Sequence, residues 1–443
     1  MRWRVPAIAT VMSTICVGGS AAHAASLQDA IVTTLQTNPE VIAIRDNRRA
    51  IDQELRAAYG LYYPSIDLRG EMGVEVTKQR GFVAAGSNFG WTDKNASEVS
   101  GILSQTLFDG FEREGEVDRQ IGRVRSAAYR VLDTVEVLAL RAVEVYLDVQ
   151  RSGEIVALAE ENVSEHENLL GLVTRRAQSG AGPRSDIDQA QARVSAAKAS
   201  LAVAKGRLAD AQANYIAVVG AAPENLQPAN SPDSSMPMTV DDAVESALQH
   251  SPVVRVAEAE VERVEGEVTI AQAGFWPTLE FRAEANREQD QAGLDGITYD
   301  YSVNAVMTYN IFRGGIDAAR FQESKERRAQ TQSELDVARR DVAEETRLAW
   351  NGLIASREAR DALQTEVNAN IKVRDAYFQQ FEVNRRSLLD LLDVQNELFV
   401  SRTQVTTENF TSVFGVFRVL ATMGQLTPAL GIDPPTETTP PPQ

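Results

Sequence analysis

The chain has 443 residues, with 44 Lys and Arg against 62 Asp and Glu, three His and one Cys. That acidic balance argues against a nucleic-acid partner, whose phosphates must be neutralised by Lys and Arg. A lone cysteine excludes a disulfide framework.

Residues 1–24 read as a secretory signal peptide. Arg2 and Arg4 make a basic start, Ala7 to Val17 is apolar, and Ala22-His23-Ala24 is a small-x-small cleavage site. Cys16 lies inside this segment, and Ile15 stands where a lipoprotein signal needs a small residue. The mature chain is therefore expected to carry no thiol, disulfide or lipid anchor. Its 42 basic residues face 62 acidic ones, a net charge of about −20. No later stretch approaches the roughly 18 unbroken apolar residues of a membrane-spanning helix. A mature chain that crosses a membrane must then do so as a closed β-barrel.

The mature sequence contains one unit twice over. Leu27 to Val41 matches Val240 to Val254 without a gap at an offset of 213, which persists through Glu54 with Glu267 and Tyr63-Pro64 with Trp276-Pro277. Beyond the expected strands the offset becomes 204, pairing Phe108 with Phe312, Asp186 with Asp390 and Gly220 with Gly424. The first copy thus holds nine extra residues, placed between its strands in Gln79 to Ala96. A strand-connecting loop absorbs such an insertion easily. The division is a first repeat over 25–220, a Pro-, Asn- and Ser-rich linker over 221–238, a second repeat over 239–426 and a tail over 427–443. The Pro and Thr of that tail predict disorder.

Within each repeat, Asn38-Pro39 and Ser251-Pro252 mark helix starts, with a capping residue before a proline. The apolar period then changes to two, predicting strands over about 62–78, 97–109, 276–287 and 298–312. Leu279, Phe281, Ala283 and Ala285 alternate with Glu280, Arg282, Glu284 and Asn286, and Tyr299 to Ile311 alternates in the same way. Such a sheet fits a lipid-facing barrel wall or a half-buried soluble sheet. Closure separates them: four strands are too few for a barrel, and three chains would supply twelve.

After the strands, residues 111–179 and 315–382 lack proline and predict helices on the order of 100 Å long. Shorter helices are expected over 185–219 and 387–423. The former carries Ile187, Ala190, Val194, Ala197, Leu201, Ala204, Leu208, Ala211, Tyr215 and Val218 on one seam. Periodicity alone leaves open an ordinary coiled-coil hairpin.

The duplicated strand pairs and hairpins, the Tyr-Pro-Ser and Trp-Pro-Thr strand starts, and Leu-Phe-Asp-Gly and Ile-Phe-Arg-Gly-Gly after the second strands together resemble the TolC-type outer-membrane efflux protein family. The resemblance spans residues 26–426. It implies a mainly α fold with a β-barrel portion: a homotrimer whose 12-stranded barrel sits in outer-membrane lipid and continues into a periplasmic α-helical barrel. It also implies an exit duct for small molecules in drug efflux or for proteins in type I secretion. The partners implied are a periplasmic adaptor (membrane fusion) protein and an inner-membrane pump of RND or ABC type.

Under this resemblance, Ser179, Gly180, Ala181 and Gly182 in one turn, and Val383, Asn384 and Arg385 in the other, are adaptor-docking tips. Family channels place acidic rings at the positions of Asp390 and Asp393, a field that favours cations. The residues alone favour the plainer reading of Ser387-Leu-Leu-Asp390 as a capping box, with Asp393 outside it, and it is the resemblance that shifts this balance. Positions matching the family's closed-state latch are Arg386 facing Ser185 and Phe381 facing Asp186. Phe381 lacks the hydroxyl of the tyrosine usual there, so the gate is expected to hold through fewer polar links.

No catalytic, cofactor or metal site is expected. Only His166 and His250 survive processing, and HExxH, a nucleophile elbow and a phosphate-cradling Gly loop are all missing. The rival reading is a periplasmic coiled-coil adaptor or a structural protein of an envelope complex, which leaves the duplicated strand pairs unexplained.

Overall fold

The computed structural model describes residues 26–77, 91–291 and 296–440. The expected signal peptide lies outside the described residues, as does most of the first strand loop. The first repeat runs α1 (Leu27–Thr37), α2 (Pro39–Gly60), β1 (Ser65–Thr77), β2 (Thr92–Phe108), α3 (Glu112–Gln178) and α4 (Ser185–Val219). The second runs α5 (Val240–His250), α6 (Pro252–Ala273), β3 (Thr278–Gln289), β4 (Ile297–Thr308), α7 (Ile316–Glu382) and α8 (Leu388–Thr422), and then the short α9 (Leu426–Ala429). Thr92 to Ala96, read as loop, belong to the long strand β2.

The four strands form one antiparallel sheet in the order β1-β2-β3-β4. Its register lines up like with like. One row runs Ile66, Leu103, Ala283, Val303, and the next residue in each strand gives Asp67, Ile102, Glu284, Ser302. Successive side chains point to opposite faces, so the sheet has an apolar face and a largely polar one. The apolar face is bare: Leu68, Met72 and Tyr301 are each more than three-quarters exposed.

The helices build four columns. Early α3 lies beside α2, through Arg123 and Glu54, and beside α6, through Arg125 and Glu262. Later α3 lies beside α4, through Lys198 and Glu167, and beside α8, through Arg402 and Glu161. Columns made of two helices are joined end to end. Asn38, capping α2, donates to the Val218 carbonyl near the end of α4, and Gly424 after α8 touches Pro252 and His250 at the start of α6. With α7 beside α6 and α8, the order across the slab is α2/α4, α3, α6/α8, α7.

Alanine on the α4 seam makes this close packing possible. Ala190, Ala197, Ala204 and Ala211 are buried with Val194, Tyr215 and Val218, while Ile187, Leu201 and Leu208 are half-buried. The main core sits where the columns join, with Ile31, Tyr146, Tyr215, Phe417 and Leu420 completely enclosed.

The tail is folded, against the disorder its composition predicts. Residues 426–440 are folded onto this core: Leu426, Leu430 and Ile432 are buried in it, and Arg45 pairs with Glu437 at 3.0 Å. Three aliphatic anchors outweigh a composition that otherwise favours disorder. Of the tail, residues 441–443 lie outside the described region.

Candidate functional site at the hairpin tips

Both long hairpins turn at the same end of the slab, and the two turns are built alike. The first leaves α3 through Ser179, with Gly180 at φ +79° and the Ala181 amide donating to the Arg176 carbonyl at 2.9 Å. The second leaves α7 through Val383, with Asn384 at φ +59° and the Arg385 amide donating to the Gln380 carbonyl at 2.8 Å. These are equivalent positions in the repeat. Left-handed backbone is easy for glycine and next easiest for Asn, which is why Asn384 can stand where Gly180 does.

Arg176, at the end of α3, holds the second turn. Its guanidinium donates to the Phe381 carbonyl at 2.8 Å and to the Asn384 side-chain oxygen. It also lies 4.5 Å from the centre of the Phe381 ring, a cation–π distance. Phe381 itself is buried beneath it with Leu169, Val173, Leu388, Leu391 and Leu392. Its aromatic ring serves packing, and the polar link comes from its backbone.

Arg386 stacks on Tyr377 at 3.8 Å and stands 3.8 Å from the Asp390 carboxylate. Asp390 closes a reciprocal capping box with Ser387, accepting from the Ser387 hydroxyl at 2.8 Å while the Ser387 oxygen accepts from the Asp390 amide at 3.2 Å. Asp393, one turn on, pairs with Arg193 of α4 at 2.9 Å. Both carboxylates thus have a cation nearby inside their own chain.

Asp186, Phe381 and Arg386 line one cavity of about 220 Å³ between the tips, together with Arg176 and Asn384. Ser185 is not on its wall. No hydrogen bond joins Arg386 to Ser185, or Phe381 to Asp186, among the described residues. Sequence reasoning missed Arg176 and Arg193, because contacts 205 and 200 residues apart leave no local pattern. Outside the cavity, Val383 is 63% and Leu389 48% exposed, an apolar edge at the extremity of the molecule. No cluster of His, Cys, Asp or Glu able to hold a metal occurs among the described residues. None of the described helices is long and apolar enough to cross a membrane.

Comparison with known proteins identifies this architecture. The family model for outer membrane efflux proteins matches residues 30–221 and 243–408, most of both repeats. The chain is 27% identical over 423 residues to the outer membrane efflux protein BepC of Brucella suis, covering 95% of this chain and 90% of that one. It is 20% identical over 405 residues to the outer membrane protein TolC of Escherichia coli, covering 88% and 80%. Among solved structures, the outer membrane protein VceC of Vibrio cholerae matches with a TM-score of 0.76 at 14% identity, over 90% of this chain and 96% of that one. The chain belongs to the outer membrane efflux protein family, a family of transport channels of the Gram-negative outer membrane.

Proposed function

We propose that three copies of this chain close into one duct, with a 12-stranded barrel in outer-membrane lipid above a periplasmic barrel of twelve helical columns. The observation that carries this reading is the sheet. The outer edges of β1 and β4 are unpaired among the described residues, and unpaired edges cannot face lipid. Joining β4 of one copy to β1 of the next satisfies both edges and turns the apolar face outward.

The tips then meet at the periplasmic mouth. There Asp390 and Asp393 form the selectivity ring, with Arg386, Ser185, Asp186 and Phe381 at the latch. The exposed turns Ser179–Gly182 and Val383–Arg385 dock a periplasmic adaptor, which connects the duct to an inner-membrane pump. The protein performs no chemistry on its cargo, which is a small molecule or an exported protein.

Reconstitution in a planar bilayer tests this directly. Trimeric protein purified in detergent should give discrete conductance steps with cation preference, and cross-linked cells should yield an adaptor and pump bound to it. Protein that stays monomeric and inserts without conductance overturns the reading.

A further inference from the structure

The seam between α3 and α6 brings two backbones into contact. A Cβ on Gly266 would lie 2.5 Å from the Arg119 amide nitrogen and 2.7 Å from the Gly115 carbonyl oxygen. One on Gly122 would lie 2.5 Å from the Arg263 amide nitrogen, and one on Gly115 would lie 2.9 Å from that of Ile270. No side chain fits at these three points. Around them, basic residues of α3 meet acidic residues of α6: Arg125 pairs with Glu262 at 2.6 Å, and Arg130 with Glu260 at 3.1 Å.

The repeat predicts a pseudo-equivalent seam, α7 against α2, and within one chain these two helices stand at opposite edges of the slab. In the closed trimer, on which this inference rests, α7 meets α2 of the next copy. Transferring the contacts by the two repeat offsets puts Ala319, Glu326 and Gln53 where Gly115, Gly122 and Gly266 stand. Each carries a Cβ that would strike backbone at the α3–α6 spacing. The cross-seam pairs change as well: Arg130 with Glu260 becomes Glu334 opposite Asn47, and Arg125 with Glu262 becomes Ala329 opposite Arg49. Glu323, Glu326, Glu334 and Arg49 are all exposed in the single chain, as are Ile42 and Val337 toward the lower end of the same two faces.

We infer that the helical barrel is closed by two unlike kinds of seam. Three α3–α6 seams inside the chains are in backbone contact, and three α7–α2 seams between chains stand further apart and are bridged by exposed side chains, centred on Glu326 of one copy and Arg49 of the partner subunit. The wider, solvated seam is also the weaker one, since exposed ion pairs contribute little and are screened by salt. Separation of the trimer therefore begins along α7–α2.

Two experiments on the full-length trimer test this. Cys16 is the sole cysteine and lies in the expected signal peptide, so Ala50→Cys with Glu326→Cys adds a clean pair at the positions equivalent to Arg263 and Gly122. A short bis-maleimide should convert this variant into covalent dimers and trimers on a denaturing gel, while either single cysteine stays monomeric. In parallel, Arg49→Glu and Glu326→Arg should each lower the temperature at which the detergent-solubilised trimer dissociates, and the double reversal should recover much of that shift. High salt should shrink these differences. A trimer that gives no inter-chain cross-link at 50 and 326, or a double reversal that merely adds the two losses, overturns the seam assignment alone. Protein that is monomeric before any substitution overturns the trimer itself.

Discussion

Arg193 on α4 and Asp393 on α8 form an ion pair at 2.9 Å that ties the first hairpin of the chain to the second near their tips. Both side chains are partly solvated, so the pair contributes at most about 1 kcal/mol. That corresponds to roughly a fivefold bias in a two-state equilibrium for each protomer. Arg193→Ala removes the tie and leaves Asp393 uncompensated. We predict a higher open probability and a stronger cation preference in single-channel recordings. An unchanged closed state would mean that this pair plays no part in gating.

Asp390 carries two roles that one substitution cannot separate but two can. Its carboxylate caps α8 in the box with Ser387, and it contributes charge to the proposed ring. Asp390→Asn keeps a side-chain oxygen to cap with and loses the charge, whereas Asp390→Ala loses both. The Asn variant should keep most of the thermal stability yet reduce cation selectivity, while the Ala variant costs about 1 kcal/mol in addition. If the Asn variant conducts with unchanged selectivity, Asp390 is a cap alone.

Much of this architecture is legible in the sequence, for reasons that also explain what is not. Strand and helix periods are local, so the alternation from Leu279 to Ala285 and the alanine seam from Ala190 to Ala211 announce the sheet and the hairpin directly. The repeat adds long-range information by naming equivalent positions, as with Gly180 and Asn384. Contacts that break the repeat are hidden. Arg176 is equivalent to Gln380 and Arg193 to Glu397, so neither cross-hairpin contact has a counterpart to reveal it. In the tail, Leu426, Leu430 and Ile432 are spaced among threonines and prolines with no recognisable period, and only the folded core shows what they fill.

One broken equivalence leaves a buried group without a partner. In the second hairpin Asn370 donates to the Ser401 hydroxyl at 3.3 Å. The corresponding pair in the first is His166 with Ala197, and the buried Nδ1 of His166 has no hydrogen-bond partner among the described residues. Ala197→Ser should supply one and raise the melting temperature, by about 1 kcal/mol in stability. Burial, and then the charge of Arg193, push the His166 pKa below its ordinary value. A depressed histidine pKa gives stability that is present above the unfolded value of about 6.5 and is lost as pH falls below it. His166→Asn should therefore flatten the acid side of the stability profile. A melting temperature that drops in Ala197→Ser, with no change in pH dependence for His166→Asn, would sink this account.

Glu136, buried in the middle of α3, fastens the C-terminal segment to the core. Its carboxylate accepts from the Leu426 amide at 2.9 Å, the Thr427 amide at 3.1 Å and the Thr427 hydroxyl. Glu136→Ala strands these donors in the interior and should cost about 3 kcal/mol. The loss should show first as proteolytic release of the residues after Thr422. Burial outweighs these hydrogen bonds and raises the Glu136 pKa, and nearby Asp133 is raised by burial and by the charge of Glu345. A carboxyl group with a raised folded pKa stabilises fully below its unfolded value, about 4.3 for Glu, and that contribution is lost as pH rises through the folded value. Hydrogen exchange over Leu426–Ile432, corrected for intrinsic rates, should accordingly be slower in mild acid than at neutral pH. Glu136→Gln, which cannot ionise, should remove most of that pH dependence. Equal protection at both pH values in the unsubstituted protein would show that Glu136 keeps the same protonation state folded and unfolded.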